Sequence, residues 1–430
     1  MKAVIWLVTL FGIAVAISIG ADHPVGLVSI FLSGYRTDVS INFAVLVLVV
    51  SFLVLYFATR AVSSLLALPK IAKRWRLQQR ERSMHESLLN ALEQLMTGRY
   101  LRSLRSVTQT IENANTLEQL SEDFESPPKY LNQLKALAHL IGAESAHALR
   151  DITSREKHLQ DLLKDSDRHG ETNYESKEAT LLSAARWSLG ESDPLSALNW
   201  LGELKGGVSR RTLTLRLKLK ADRLAKHHLV ALETARLLNK HGAFSDNAAQ
   251  GLLRSLCTSS LDDCCDEHQL QQTWRLLDAR EKLLPEVAIH ASERMIALGG
   301  NSQTALTWLN PIWDLLLTHP AALAETLQVR LIQTLASHLK VLGVDKNWLT
   351  KIDQARAVNP RNPLLQYLSA MTCMHNGLWG KAQQLMVEAA QQLKHPDLKK
   401  AAWRTLAELA LQRGQQDEAA SYWKKIALTE

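Results

Sequence analysis

Ile41–Ala58 is an 18-residue stretch with no charge and with Asn42 as its only strongly polar member. Such a run suits the crossing of a bilayer. Ahead of it in the chain lies the first of two such runs, Ala3–Ile19, with 17 residues and again no charge. Each sits at the short end of what spans a hydrocarbon core of about 30 Å. The second run can extend through Thr59 to Leu68 if Arg60 reaches up to the headgroups. Gly20–Ser40, between the runs, holds one cation, Arg36, and two anions, Asp22 and Asp38. Lys2 precedes the first run, and seven cations follow the second: Arg60, Lys70, Lys73, Arg74, Arg76, Arg80 and Arg82, with Glu81 the one acid among them.

Lys and Arg accumulate on the cytoplasmic side of membrane proteins. The bias therefore predicts a transmembrane hairpin over residues 1–68, with spans 3–19 and 41–58, a short external loop and both flanks in the cytoplasm. A basic juxtamembrane helix over 69–85 then lies against anionic membrane lipid, worth about 1 kcal/mol per side chain near the surface. A cleaved signal peptide ending at Ser18-Ile19-Gly20 is the rival reading of the first run. Nucleic acid is the rival partner for the cations, but the adjacent span makes lipid the better one, and no nucleic acid is expected. The net charge is +7. Residues 1–59 sum to zero and 60–82 to +6, so +1 remains for everything after residue 82 and the basicity is assigned to the one segment. In the loop, Val25–Leu32 and Tyr35–Ile41 flank Ser33-Gly34, a pattern that predicts a β-hairpin on the membrane surface.

From Ser83 the pattern is helical, as at Leu88, Leu89, Leu92, Leu95 and Met96. With 46% hydrophobic and 22% charged residues, a disordered chain is excluded. Gly343, Gly377 and Gly414 are 34 and 37 residues apart. Ala382 and Ala419 follow the last two glycines by five residues, and Ala355, Ala389 and Ile426 follow the three by twelve. Ala336, Ala370 and Ala407 precede them by seven, and Trp403 and Trp423 take large positions of the last repeat. The spacing resembles the tetratricopeptide repeat (TPR), in which small residues let two helices cross closely and large ones fill the gaps. The expected fold is all-α: the transmembrane hairpin followed by a cytoplasmic TPR-like α-solenoid. Degenerate hairpins are expected over 86–258 and clearer repeats over 268–430. Ser126-Pro127-Pro128 and Ser259–Glu267 are the expected breaks.

None of GxGxxG, GxxxxGK(S/T), GxSxG or HExxH occurs. Cys257, Cys264 and Cys265 do not form CxxC, and with His268 they read as ordinary thiols in a reducing compartment. His227-His228 is the only histidine pair, and consecutive helical residues point about 100° apart, too far for one ligand face. No catalytic residue and no metal ligand is assigned. Trp313, Trp348 and Trp379 are the tryptophans whose exposure matters.

The layout resembles HemY-type proteins of proteobacterial inner membranes. The residues that carry the likeness are Val25–Leu32 with Tyr35, Arg60 closing the second span, Lys73-Arg74-Trp75-Arg76, and Leu88–Leu95 leading into Gly98-Arg99-Tyr100. The resemblance implies a bacterial inner-membrane, multi-pass protein with both termini and the repeats in the cytoplasm. It implies a non-enzymatic TPR scaffold that acts in or regulates haem and porphyrin biosynthesis by docking tetrapyrrole-pathway enzymes. The same name is used for an unrelated flavin-dependent oxidase, whose dinucleotide fingerprint is missing here. Two rival functions stay open. Fifteen His and eleven Trp suit a haem- or tetrapyrrole-binding carrier or sensor, with haem the one candidate cofactor. The repeats alone suit a general envelope-assembly scaffold equally well.

Overall fold

The computed structural model describes residues 11, 12, 15, 26–32, 34–121, 129–169, 174–343 and 346–428. Two compact units divide it, Met1–Ser176 and Lys177–Glu430. Most of the first apolar run and the Ser126-Pro127-Pro128 break lie outside the described residues. The expected two-span hairpin is therefore represented by one apolar helix.

The first unit opens with the hairpin that the Ser-Gly turn predicts. Strands β1 (Leu27–Leu32) and β2 (Tyr35–Ser40) pair antiparallel, from Leu27 opposite Ser40 to Leu32 opposite Tyr35. Gly34 supplies the φ of +97° that so tight a turn needs. The Ile41 amide donates to the Gly26 carbonyl at 3.2 Å, which closes the hairpin's base. The Ser40 hydroxyl accepts from the Phe43 amide at 3.4 Å and so caps the next helix.

That helix, α1 (Ile41–Met96), has 56 residues without interruption, about 84 Å at 1.5 Å per residue. Sequence composition divides it at Ala58, Leu68 and His85; the backbone does not. Each change is one of side-chain character, and Leu, Lys, Arg and Gln all favour helix alike. Gly98, with φ +74°, turns the chain into α2 (Tyr100–Ser121), and α3 (Lys129–Ala148) and α4 (Ile152–His169) follow. Helices α2 and α3 pack on the far part of α1 through Leu88, Ala91, Val107, Ala138 and Ile141, with Met84, Ala114 and Leu131 as a second cluster. A seam of hydroxyls runs between these clusters. Ser87 and Thr110 share a hydrogen bond of 2.8 Å, Ser103 donates to the Ala91 carbonyl at 2.8 Å, and Ser145 donates to Ser103 at 3.0 Å. Such buried groups carry little net energy but tolerate no other register, since an unmet one costs about 1–3 kcal/mol.

The second unit is built from consecutive helices. They are α5 (Tyr174–Gly190), α6 (Pro194–Gly202), α7 (Thr212–Leu224), α8 (His228–Lys240), α9 (Asp246–Asp262), α10 (Glu267–Leu276), α11 (Ala279–Lys282), α12 (Pro285–Ala297), α13 (Ser302–Thr318), α14 (Glu325–Leu342), α15 (Lys346–Val358), α16 (Pro363–His375), α17 (Trp379–Gln392), α18 (Pro396–Gln412) and α19 (Gln416–Ala427). Ser259–Glu267 holds the turn from α9 to α10 inside this unit. Prolines open α6, α12, α16 and α18, where a missing N–H costs nothing. One continuous apolar core runs from Leu215 to Leu406, with Trp313 1% exposed at its middle. The body of the protein is all-α.

Candidate functional site

Leu46–Leu66, on α1, is a 21-residue stretch long and apolar enough to cross a membrane. It runs past Ala58 and takes in Arg60, as the extension toward Leu68 expects. Leu46, Leu48, Val50, Phe52, Leu55, Phe57, Val62 and Leu66 are all exposed. Large apolar residues exposed in such number are costly in water and suited to lipid. Arg60 donates to the Tyr56 hydroxyl one turn back, at 3.3 Å.

The remaining cations of the expected basic segment, Lys70, Lys73, Arg74, Arg76, Arg80 and Arg82, follow on the same helix. Arg74, Arg76, Arg80 and Arg82 are exposed, as is Trp75 among them. Arg80 donates to the Asn113 side chain at 3.2 Å, and Tyr130 donates to Glu81. These contacts mark where the helical bundle begins. Five of these cations, Lys70 to Arg80, stand within about 21 Å of helix after Leu66.

In the last three hairpins of the second unit, Gly343, Gly377 and Gly414 have φ of +75°, +74° and +73° and end α14, α16 and α18. Each amide donates back into the helix it ends, at 3.0–3.1 Å. Ala355, Ala370, Ala382, Ala389, Trp403, Ala407 and Ala419 are buried. Trp423 is 43% exposed, because no described helix packs on the outer side of α19; Tyr422 instead stacks on Trp403 at 5.7 Å. Trp313 and Trp348 are core, while Trp379 is 44% exposed.

The residues weighed for chemistry separate in space. Cys264 points inward, its thiol near the Ser260 carbonyl and the Thr273 hydroxyl, while Cys265 is exposed. Burial pushes the Cys257 thiol up to about 12, so it stays protonated. His228 Nδ1 meets Asp263 at 2.6 Å, and His227 Nδ1 lies 3.8 Å from Asp222, so the adjacent pair faces different partners.

A second basic region escaped the sequence reading. Lys205, Arg210, Arg211, Arg216, Lys218, Lys220, Arg223 and Lys226 stand against one acid, Asp222, which is +7 within residues 205–228. A nearly equal and opposite balance elsewhere hides it: the rest of the chain after residue 82 carries −6, so only +1 remains in the sum. A running charge count over one helix length reveals it, where a single sum over everything after residue 82 does not.

Three solved structures are similar to the chain. One is the structure of Naa15/Naa10 bound to HypK-THB, 14% identical, with a TM-score of 0.24, covering 77% of this chain and 56% of that chain. The chain thus spans little more than half of that relative. The P58(IPK) TPR domain is 14% identical with a TM-score of 0.21, covering 77% and 99% of the two chains. The APC/C hetero-tetramer Cut9-Hcn1 is 13% identical with a TM-score of 0.22, covering 79% and 71%. No curated protein sequence matches. Residues 26–122, which hold the β-hairpin and the whole of α1 and α2, match the family described as HemY protein N-terminus.

Proposed function

We propose that the protein is a non-enzymatic, membrane-anchored scaffold for haem and porphyrin biosynthesis. The observation that carries the reading is covalent continuity. A HemY-type N-terminal region, with its apolar span, is joined through α1 to stacked helical hairpins. Hairpins stacked in this way offer faces that take a helix or an extended segment of a partner. The partners proposed are tetrapyrrole-pathway enzymes, held at the bacterial inner membrane. Tethering two of them raises their effective concentration into the mM range for short tethers, with no new chemistry. That suits intermediates that are poorly soluble in water.

In this reading Ala3–Ile19 is a second span, both termini and the repeats are cytoplasmic, and Arg60, Lys70, Lys73, Arg74, Arg76, Arg80 and Arg82 meet anionic lipid headgroups. Gly343, Gly377 and Gly414, with the buried alanines that follow and precede them, set the hairpin crossings of the docking region.

Two measurements test this together. Affinity purification of the tagged chain from crosslinked membranes should recover tetrapyrrole-pathway enzymes, and a deletion strain should accumulate porphyrin intermediates. An envelope defect with normal porphyrins and no such enzymes recovered overturns the haem assignment in favour of general assembly.

A further inference from the structure

The basic region of the second unit is concentrated on α7. One side of this helix is core: Leu215, Leu219 and Ala221 are buried, and Asp222, the only acid, is buried with them at 2% exposed. The opposite side carries Leu213, Arg216, Lys220, Arg223 and Leu224, all exposed. Their positions fall within about 100° of arc and about 16 Å of helix length. Leu213 is 59% exposed and Leu224 50%, so an apolar residue brackets the cations at each end. Arg216 donates to the Ala243 carbonyl at 3.0 Å, which holds its guanidinium in place. Lys220 and Arg223 have no ion pair or side-chain hydrogen bond among the described residues. Glu178 pairs with Arg211, and Asp263 with His228.

Like charges one turn apart destabilise a helix. Arg216, Lys220 and Arg223 are spaced so, with no acid between them on that side. The arrangement is eased when anionic groups lie over it. We propose that the exposed side of α7 docks an acidic segment of a partner protein, with clustered Asp and Glu over Arg216, Lys220 and Arg223 and apolar side chains against Leu213 and Leu224. Guanidinium groups pair with carboxylates through two parallel hydrogen bonds, which sets the register of the segment. A nucleic acid backbone offers nothing apolar to the two leucines. A bilayer-bound helix needs a continuous apolar stripe with cations at its edges, and here the cations take the centre. The inference rests on the scaffold reading and names the chemistry of one partner surface.

The test uses the full chain in nanodiscs of neutral phosphatidylcholine. The probe is a short fluorescein-labelled peptide of Glu, Asp and Leu, read by fluorescence anisotropy. Binding should be saturable, weaken as salt is raised, and fall about tenfold or more in Lys220→Glu/Arg223→Glu, with circular dichroism unchanged. A peptide with Lys in place of Glu and Asp should bind that variant and not the parent. Arg223→Gln, which keeps the helix and removes one charge, should give an intermediate loss. No binding by the parent, or equal binding by the double variant, overturns the inference. So does displacement of the peptide by single-stranded DNA or by phosphatidylglycerol vesicles at lower concentration than unlabelled peptide. If the double variant loses the peptide and still recovers every pathway enzyme from membranes, the scaffold reading stands and those enzymes are not the acidic partner. If it keeps the peptide, the α7 surface fails whatever the purification recovers.

Discussion

His139 on α3 and His158 on α4 meet Nδ1 to Nδ1 at 3.0 Å, their rings edge to face. One nitrogen donates and the other accepts, so the bond is lost when both rings are cationic. Burial, and then the neighbouring His139, push His158 down to about 4, with Lys157 adding and Asp161 opposing. The folded value lies below the ordinary 6.5. The unfolded chain therefore takes up a proton between about pH 6.5 and 4 that the folded chain refuses, and stability falls as pH falls through that window. The loss at its lower end is on the order of 2–3 kcal/mol. Burial lowers His338 and His375 in the second unit in the same direction. Hydrogen exchange should show the α3–α4 pair opening at pH 4.5 before it does at pH 7, and His158→Gln should flatten that difference. Equal protection at both pH values would refute it.

Gly377 and Gly380 separate backbone strain from packing. A Cβ at either meets open space, but only Gly377 has a positive φ, +74°. Gly377→Ala should cost about 1 kcal/mol, since Ala is strained in the left-handed region. Gly380 is the second residue of α17 and has no positive φ, so Gly380→Ala should stabilise by about 0.4–1 kcal/mol through the unfolded chain. Denaturant melts of the two variants should move in opposite directions.

Ala407 is fully buried on α18, whereas Ala420 is exposed on α19 beside buried Ala419. Ala407→Leu overpacks a helix crossing, at about 1–3 kcal/mol. Ala420→Leu adds the same atoms in the open. Because stacked hairpins lean on their neighbours alone, limited proteolysis should release the region after about residue 396 in Ala407→Leu and leave Ala420→Leu as resistant as the parent. Resistance in both would show that α18 and α19 accommodate the added bulk, and the assigned crossing would be wrong.

Topology is tested by reporter fusions. A reporter after Ala67 should read cytoplasmic, and one at Thr37-Asp38, on β2, should read external. The opposite pattern would place the hairpins outside the cytoplasm.

How much of this was legible beforehand depended on whether the signal was local. The β-hairpin was, because Ser33-Gly34 and its β-branched flanks determine the turn within a few residues. The final hairpins were, because Gly343, Gly377 and Gly414 each mark a left-handed helix end that other residues rarely adopt. The unbroken course of α1 was not: a lipid-suited stretch and a basic one look like separate segments, though both continue the same backbone. Nor was the Ser87–Thr110 and Ser103–Ser145 seam, since pairing across helices leaves no trace in spacing along one of them. The α7 cations were overlooked for a simpler reason, cancellation by acids elsewhere.

The uninterrupted α1 makes azimuth a property of this protein. With Leu46–Leu66 in a bilayer and α2 packed on Met84–Leu95, nothing described between them bends, so rotation of the span about its axis is rotation of the first bundle. One residue inserted between Leu66 and Arg80 would lift the bundle by about 1.5 Å and swing it by about 100°, pointing its partners another way along the membrane plane. Seven inserted residues would raise it by about 10 Å and return it to within about 20° of its original heading. Activity that recovers with seven and fails with one would mean that partners are presented by compass direction, and activity that falls steadily with length would mean that only height matters.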